Sequence, residues 1–325
     1  MACCRNMTIK QLLKDWTLPV SMAVGALSYI LFTQVEALYD MKVALVGFIP
    51  YLLPMLIFVM LFFTYCKIEP RELKPRLWHL WLILIQLIEV GVVLWWCMQH
   101  EDSKWIPIGE ALLACFISPM AAVGAVVTQK IGGNAATATT YTLISSTFTA
   151  IMVPWVYPLV EPGINMTFSE LFLRILYRVF PTIMAPLVLA LLLWWLMPKV
   201  KTYLAEKSKD YSFYLWAICT MVNTAQIIRS IVGAPGSGSI VIWIFVVIGI
   251  IVFAHFFVGK TIGSVYGDRM AAGQGLAQKN TVLSIWMAMS FLNPTAAIGP
   301  GAHLLWQNLF NSWQIYTHGR ETKRI

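Results

Sequence analysis

The sequence predicts an all-α membrane protein of ten transmembrane helices, arranged as two inverted five-helix repeats with the fourth and ninth helices broken. Three observations carry this. Only 12% of the 325 residues are charged and 59% are hydrophobic, against roughly 25% charged in a soluble domain. Apolar segments near or above the ~20 residues that cross a bilayer recur along the chain. Lys and Arg alternate sharply between the loops that join them.

The spans are expected at approximately 17–35, 43–66, 77–98, 107–128, 134–160, 169–197, 212–232, 238–258, 262–291 and 295–317. With both termini cytoplasmic, seventeen of the 23 Lys and Arg residues fall on the inside, and Lys42, Lys104 and Arg229 fall outside. That bias sets the orientation, and it accounts for the net charge of +8 without a nucleic-acid partner. Residues 1–16 lack the apolar stretch and cleavage site of a signal peptide and read as a cytoplasmic tail. Residues 17–160 form the first repeat. Residues 161–210 hold the start of the second repeat and a cytoplasmic linker, 211–318 its remainder, and 319–325 a cytoplasmic tail. Tryptophans cluster near segment ends, as in an interfacial belt. Six cysteines without redox or zinc spacing predict no disulfide framework; the Cys3-Cys4 pair beside Arg5 could be acylated, but reads better as a free cytoplasmic pair.

The first broken segment, 106–127, is interrupted at Pro119, with Gly124 beyond it. The second, 258–291, is expected to break at Gly273-Gln274-Gly275, leaving Gln278, Lys279 and Asn280 at mid-membrane depth. Non-helical backbone survives there only where protein or a water-filled cavity solvates it. Broken helices in corresponding halves mark the binding site of a secondary transporter. Glu89 reads as the one acidic residue deep within a span, on the helical face of Gln86. Its expected partner is Lys279, either as a proton-exchanging pair or as a static one. Asn223, Thr224 and Gln226 could line a cavity or join helices. Arg174 and Arg178 could attract an anion, but snorkelling fits side chains near an interface. His255 and Cys115 read as structural. The glycine-rich stretch 233–238 reads as a turn, Asn165 as a sequon on the outer side, and no catalytic set points to an enzyme.

Several motifs resemble the bile acid:sodium symporter family: Gly133-Asn134, Ser146-Thr147, Pro154 and Pro158; Pro119 before them; 278–291; and Trp306-Gln307-Asn308. The wider superfamily includes arsenite and auxin carriers. The resemblance implies a panel of helices 1, 2, 6 and 7 and a core of helices 3–5 and 8–10, with the broken helices crossing in the core. It also implies sodium sites behind the crossing and an amphipathic organic anion between core and panel. Gln86 and Thr142 fall near two of the family's ligand positions. Gly124 and Ala125 have no side-chain oxygen, however; Gln274 stands at the family's glutamate and Lys279 at its asparagine. These departures predict degenerate sodium sites in which the Lys279 ammonium takes the place of an ion, held by the crossing carbonyls, Gln274 or Glu89, with no metal or other cofactor and coupling to protons or to nothing. The expected partners are a small-molecule solute, an organic anion or amphipath, and the lipid bilayer. The alternative is a non-transporting receptor or scaffold that retains the fold.

Overall fold

The computed structural model describes residues 17–161, 166–208, 211–233 and 238–321. Asn165, residues 234–237, all of the first predicted tail with Cys3 and Cys4, and residues 322–325 of the second lie outside them, as does the side chain of Arg178. The described chain is helical: α1 (Thr17–Gln34), α2 (Tyr39–Tyr65), α3 (Leu77–Gln99), α4 (Ile106–Phe116), α5 (Val123–Lys130), α6 (Ala135–Val160), α7 (Phe168–Leu196), α8 (Pro198–Lys207), α9 (Tyr211–Gly233), α10 (Gly238–Val265), α11 (Arg269–Ala277), α12 (Thr281–Phe291) and α13 (Ile298–Glu321). Among the described residues, α3, α6 and α10 are each long and apolar enough to cross a membrane. Large apolar side chains such as Ile88, Trp95, Trp155, Ile242 and Phe257 are exposed on their outer faces, which suits a lipid solvent.

Local chemistry explains how polar sequence persists inside such helices. Asn134 caps α6, its Oδ1 accepting from Ala136 N at 2.9 Å and Thr137 N at 3.2 Å. The hydroxyls of Thr139, Thr140, Thr142 and Ser146 each donate to the carbonyl four residues back, so a Thr/Ser-rich helix leaves few polar groups unmet.

The first break falls where Pro119 predicts it, between α4 and α5. The second does not. Gly273, Gln274 and Gly275 are helical within α11, and the interruption comes at Gln278-Lys279-Asn280. Likewise, α10 continues to Val265, and the chain turns through Gly267 at φ +72° before α11 begins. The two glycines serve packing instead of breaking the helix. A Cβ on Gly273 would lie 2.7 Å from Lys260 Cγ, and one on Gly275 would press on Leu82, Tyr141 and Trp78.

In packing, α9 lies against both α1 and α2, and α2 against α7; α10 packs on α3, α4, α11 and α13. Ile248, Val252 and Phe256 of α10 bury against Ala111 and Cys115 of α4 and Ala302 of α13. The α10–α11 contact is closest at Gly259, where an added Cβ would sit 2.6 Å from the Ala272 carbonyl oxygen. Backbone cannot retreat as a flexible side chain can, so Gly259→Val is expected to cost about 3 kcal/mol, the upper end of overpacking penalties. A thermal melt in detergent showing a parent-like midpoint would contradict this.

Candidate functional site

The two breaks meet. Met120 and Lys279 form an antiparallel bridge, Ala121 N donates to Gln278 O at 2.7 Å, and Asn280 N donates to Pro119 O at 2.9 Å. Met120 N donates to Ser145 Oγ of α6 at 3.0 Å. Each interruption thus satisfies the backbone groups that the other leaves open, as a site without bulk water requires.

The C-terminal end of α4 presents carbonyls that helix geometry leaves without intrahelical donors. Gln86 Nε2 donates to Phe116 O at 2.9 Å and to Ser118 O at 3.2 Å. The Lys279 ammonium donates to the same two oxygens, at 3.2 Å to Ser118 and 3.5 Å to Phe116. Thr149 Oγ1 covers Ile117 O at 2.7 Å. A cation at the negative end of a helix dipole is favourable, and Lys279 is only 1% exposed. Its backbone N–H is held by Gln307 Oε1 at 3.0 Å, while Tyr141 OH fixes Gln86 by donating to its Oε1 at 2.8 Å.

A cavity of about 450 Å³ opens against this crossing, walled by α2, α5, α9, α12 and α13. Lys279, Gln278, Asn280, Asn223 and Gln226 line it, together with Gln307 and Asn308. Asn308 is 1% exposed, and neither polar atom of its amide has a partner among the described residues.

The remaining expected residues fare differently. Thr224 donates to Thr220 O within its own helix and does not line the cavity. Thr142 spends its hydroxyl on Ala138 O at 3.0 Å. Gln274 Nε2 donates to Asn311 Oδ1 at 2.8 Å, and Asn311 Nδ2 in turn donates to Gln278 Oε1. Glu89 does not pair with Lys279: its Oε1 lies 2.9 Å from His255 Nε2. Three residues along a helix is a 60° offset, enough to turn Gln86 towards α4 and α6 while Glu89 faces α10. The expected span 238–258 put His255 near the end of its helix; α10 runs on to Val265, and His255 is instead a partner of Glu89, ten residues before that end. Arg174 is exposed, its Nη1 3.9 Å from Met166 Sδ. Cys115 is buried core.

Glu89 is also not the only deep acid. Glu110 of α4 is 3% exposed, and its Oε2 accepts from Asn293 N at 3.1 Å. An acid four residues into an apolar helix was legible. Of the three holders open for the Lys279 ammonium, the crossing carbonyls are the ones observed, not Gln274 or Glu89; that they are those of Phe116 and Ser118 leaves no mark in a residue string.

A family model described as the sodium bile acid symporter family matches residues 54–234, more than half of the chain. The match takes in the first break, Gln86, Glu89 and Asn223, and ends before Lys279. No curated protein matches the sequence.

Proposed function

The chain belongs to the sodium bile acid symporter family, a family of multi-pass membrane transporters, and on that premise we propose a secondary transporter that moves a small organic anion or amphipathic solute without sodium. Ten spans form two inverted repeats with cytoplasmic termini. A panel of α1, α2, α7 and α9 and a core of the other membrane helices move against each other around the crossing.

The observation that carries this reading is the unpartnered Asn308 amide in the wall of the crossing cavity. A buried amide without partners costs free energy that a solute carrying both donor and acceptor would recover. Lys279 beside it supplies positive charge, and apolar Leu53, Ile57, Met60 and Leu283 suit a hydrocarbon body.

The same geometry argues against sodium. Sodium requires several oxygen ligands, yet Gly124 and Ala125 offer none from side chains, and Gln274 is committed to Asn311. The Lys279 ammonium already occupies two carbonyls at the end of α4. A second unit cation 4 Å away would meet about 4 kcal/mol of repulsion at an effective dielectric near 20.

The test is uptake of labelled taurocholate and simpler carboxylates by proteoliposomes, with sodium inside and outside replaced by choline. Unchanged uptake is expected. Sodium stimulation that persists equally in Lys279→Asn would sink the sodium-free reading, and absence of flux for every anion would favour the receptor or scaffold. Asn308→Ala is expected to weaken solute affinity about tenfold, roughly 1.4 kcal/mol, with little change in melting temperature because the amide has no partner to lose among the described residues. A large stability loss would show instead that Asn308 is structural.

A further inference from the structure

Beside Phe116, whose carbonyl holds Lys279, a second pair of ionisable groups remains unused by this scheme. Glu89 Oε1 accepts from His255 Nε2 at 2.9 Å, joining α3 to α10. The His255 ring rests on the Phe116 ring, with centroids 5.5 Å apart. His255 is 3% exposed, the Glu89 side chain 23%. His255 Nδ1 and Glu89 Oε2 have no hydrogen-bond partner among the described residues. The carboxylate holds the imidazole proton on Nε2, which leaves Nδ1 as the free basic atom.

We propose that Glu89 and His255 form a proton-binding site whose occupancy controls the Lys279 ammonium, making the transporter a proton–anion symporter. This rests on the transport reading above. One hydronium ion from the aqueous side gives its proton to His255 Nδ1: its O–H bond breaks, an N–H bond forms and neutral water is left, giving an imidazolium paired with the Glu89 carboxylate. The added positive charge appears at the end of α4 that already holds Lys279. Phe116 connects the two sites, its ring touching His255 and its carbonyl accepting from Lys279. Protonation therefore weakens the hold of the α4 carbonyls on Lys279 and frees its charge for an anion in the cavity that Lys279 lines. Proton and anion then favour each other's binding, as linkage requires.

The charged and titratable surroundings of the pair fit this role. Lys279 and Tyr141 act electrostatically on Glu89. From α4 the neighbour is Cys115, buried with Val252 and Phe256 of α10. From α13 it is His303, which interacts with both His255 and Lys279. The charged group of α11, Arg269, acts on Lys260 nearer the end of α10. His303 Nδ1 is 3.0 Å from Gln307 Oε1, and Gln307 reaches the cavity wall. His303 thus offers a connecting group between the pair and the solute.

The experiment is a pH jump, from about 8 to about 6 across the histidine range, applied to proteoliposomes on a solid-supported membrane with no solute present. The parent chain is expected to give a transient proton-binding current, and Glu89→Gln and His255→Gln are expected to abolish it. Glu89→Gln keeps the shape and an acceptor for Nε2, and thermal melting of both variants guards against simple misfolding. Taurocholate uptake by the parent is expected to rise with an inward proton gradient, and uptake by both variants to lose that dependence. A current that survives in both variants overturns the proposal. So does uptake that proceeds without any gradient dependence, which leaves the transport reading intact. A current lost in the variants but no uptake of any anion tested overturns the transport reading while the proton site stands.

Discussion

Replacing Lys279 with asparagine is expected to cut anion uptake more than tenfold and to make thermal stability sensitive to sodium. The ammonium is the cation that caps α4, donating to Phe116 O and Ser118 O. Charge-assisted bonds of this kind contribute about 1.5–3 kcal/mol. Asparagine is too short to span the same gap and brings no charge, so the two carbonyls keep only Gln86 as a side-chain donor. The freed oxygens, with the new amide oxygen, form a weak site for a small cation. Melting should therefore shift upwards when sodium replaces potassium in Lys279→Asn and stay unchanged in the parent. If the variant transports at the parent rate and its melting ignores the cation, Lys279 does not stand in for an ion.

Gln86→Leu is expected to lower stability by about 3–5 kcal/mol, the largest loss foreseen for a single side chain at the crossing. Leucine nearly matches glutamine in volume, so the effect isolates hydrogen bonding. Three buried groups lose a partner: the Phe116 and Ser118 carbonyls and the Tyr141 hydroxyl. Each buried polar group left unmet costs about 1–3 kcal/mol, partly offset at the carbonyls by Lys279. Denaturant or thermal melts in detergent measure the loss, and a change below about 1 kcal/mol would mean that water reaches the crossing. Apolar leucine beside Lys279 also raises the cost of its charge, so uptake should fall with stability.

Much of the architecture was readable because membrane insertion imposes one-dimensional rules. Apolar length marks spans, and Pro119 marks a break because proline removes a helical donor. The helices observed begin and end close to those expectations at α3, α6 and α7. Glycine was the misleading signal. Gly273 and Gly275 are flexible residues that also permit close approach, and composition cannot say which property is used; the neighbours Lys260, Leu82 and Tyr141 decide it.

The candidate site divides along the same line. The sequence alone determined the helical membrane class, the family, and the types of residue at the crossing, because these depend on local composition, spacing and motif. Only the tertiary structure decided the pairings: Lys279 with two particular backbone carbonyls, Glu89 with His255, and the Asn308 side-chain amide with no partner among the described residues. Those partners are more than a hundred residues apart in chain order or are backbone atoms common to every residue. Which of them meet depends on how helices rotate and cross, a few tens of degrees that no residue string records.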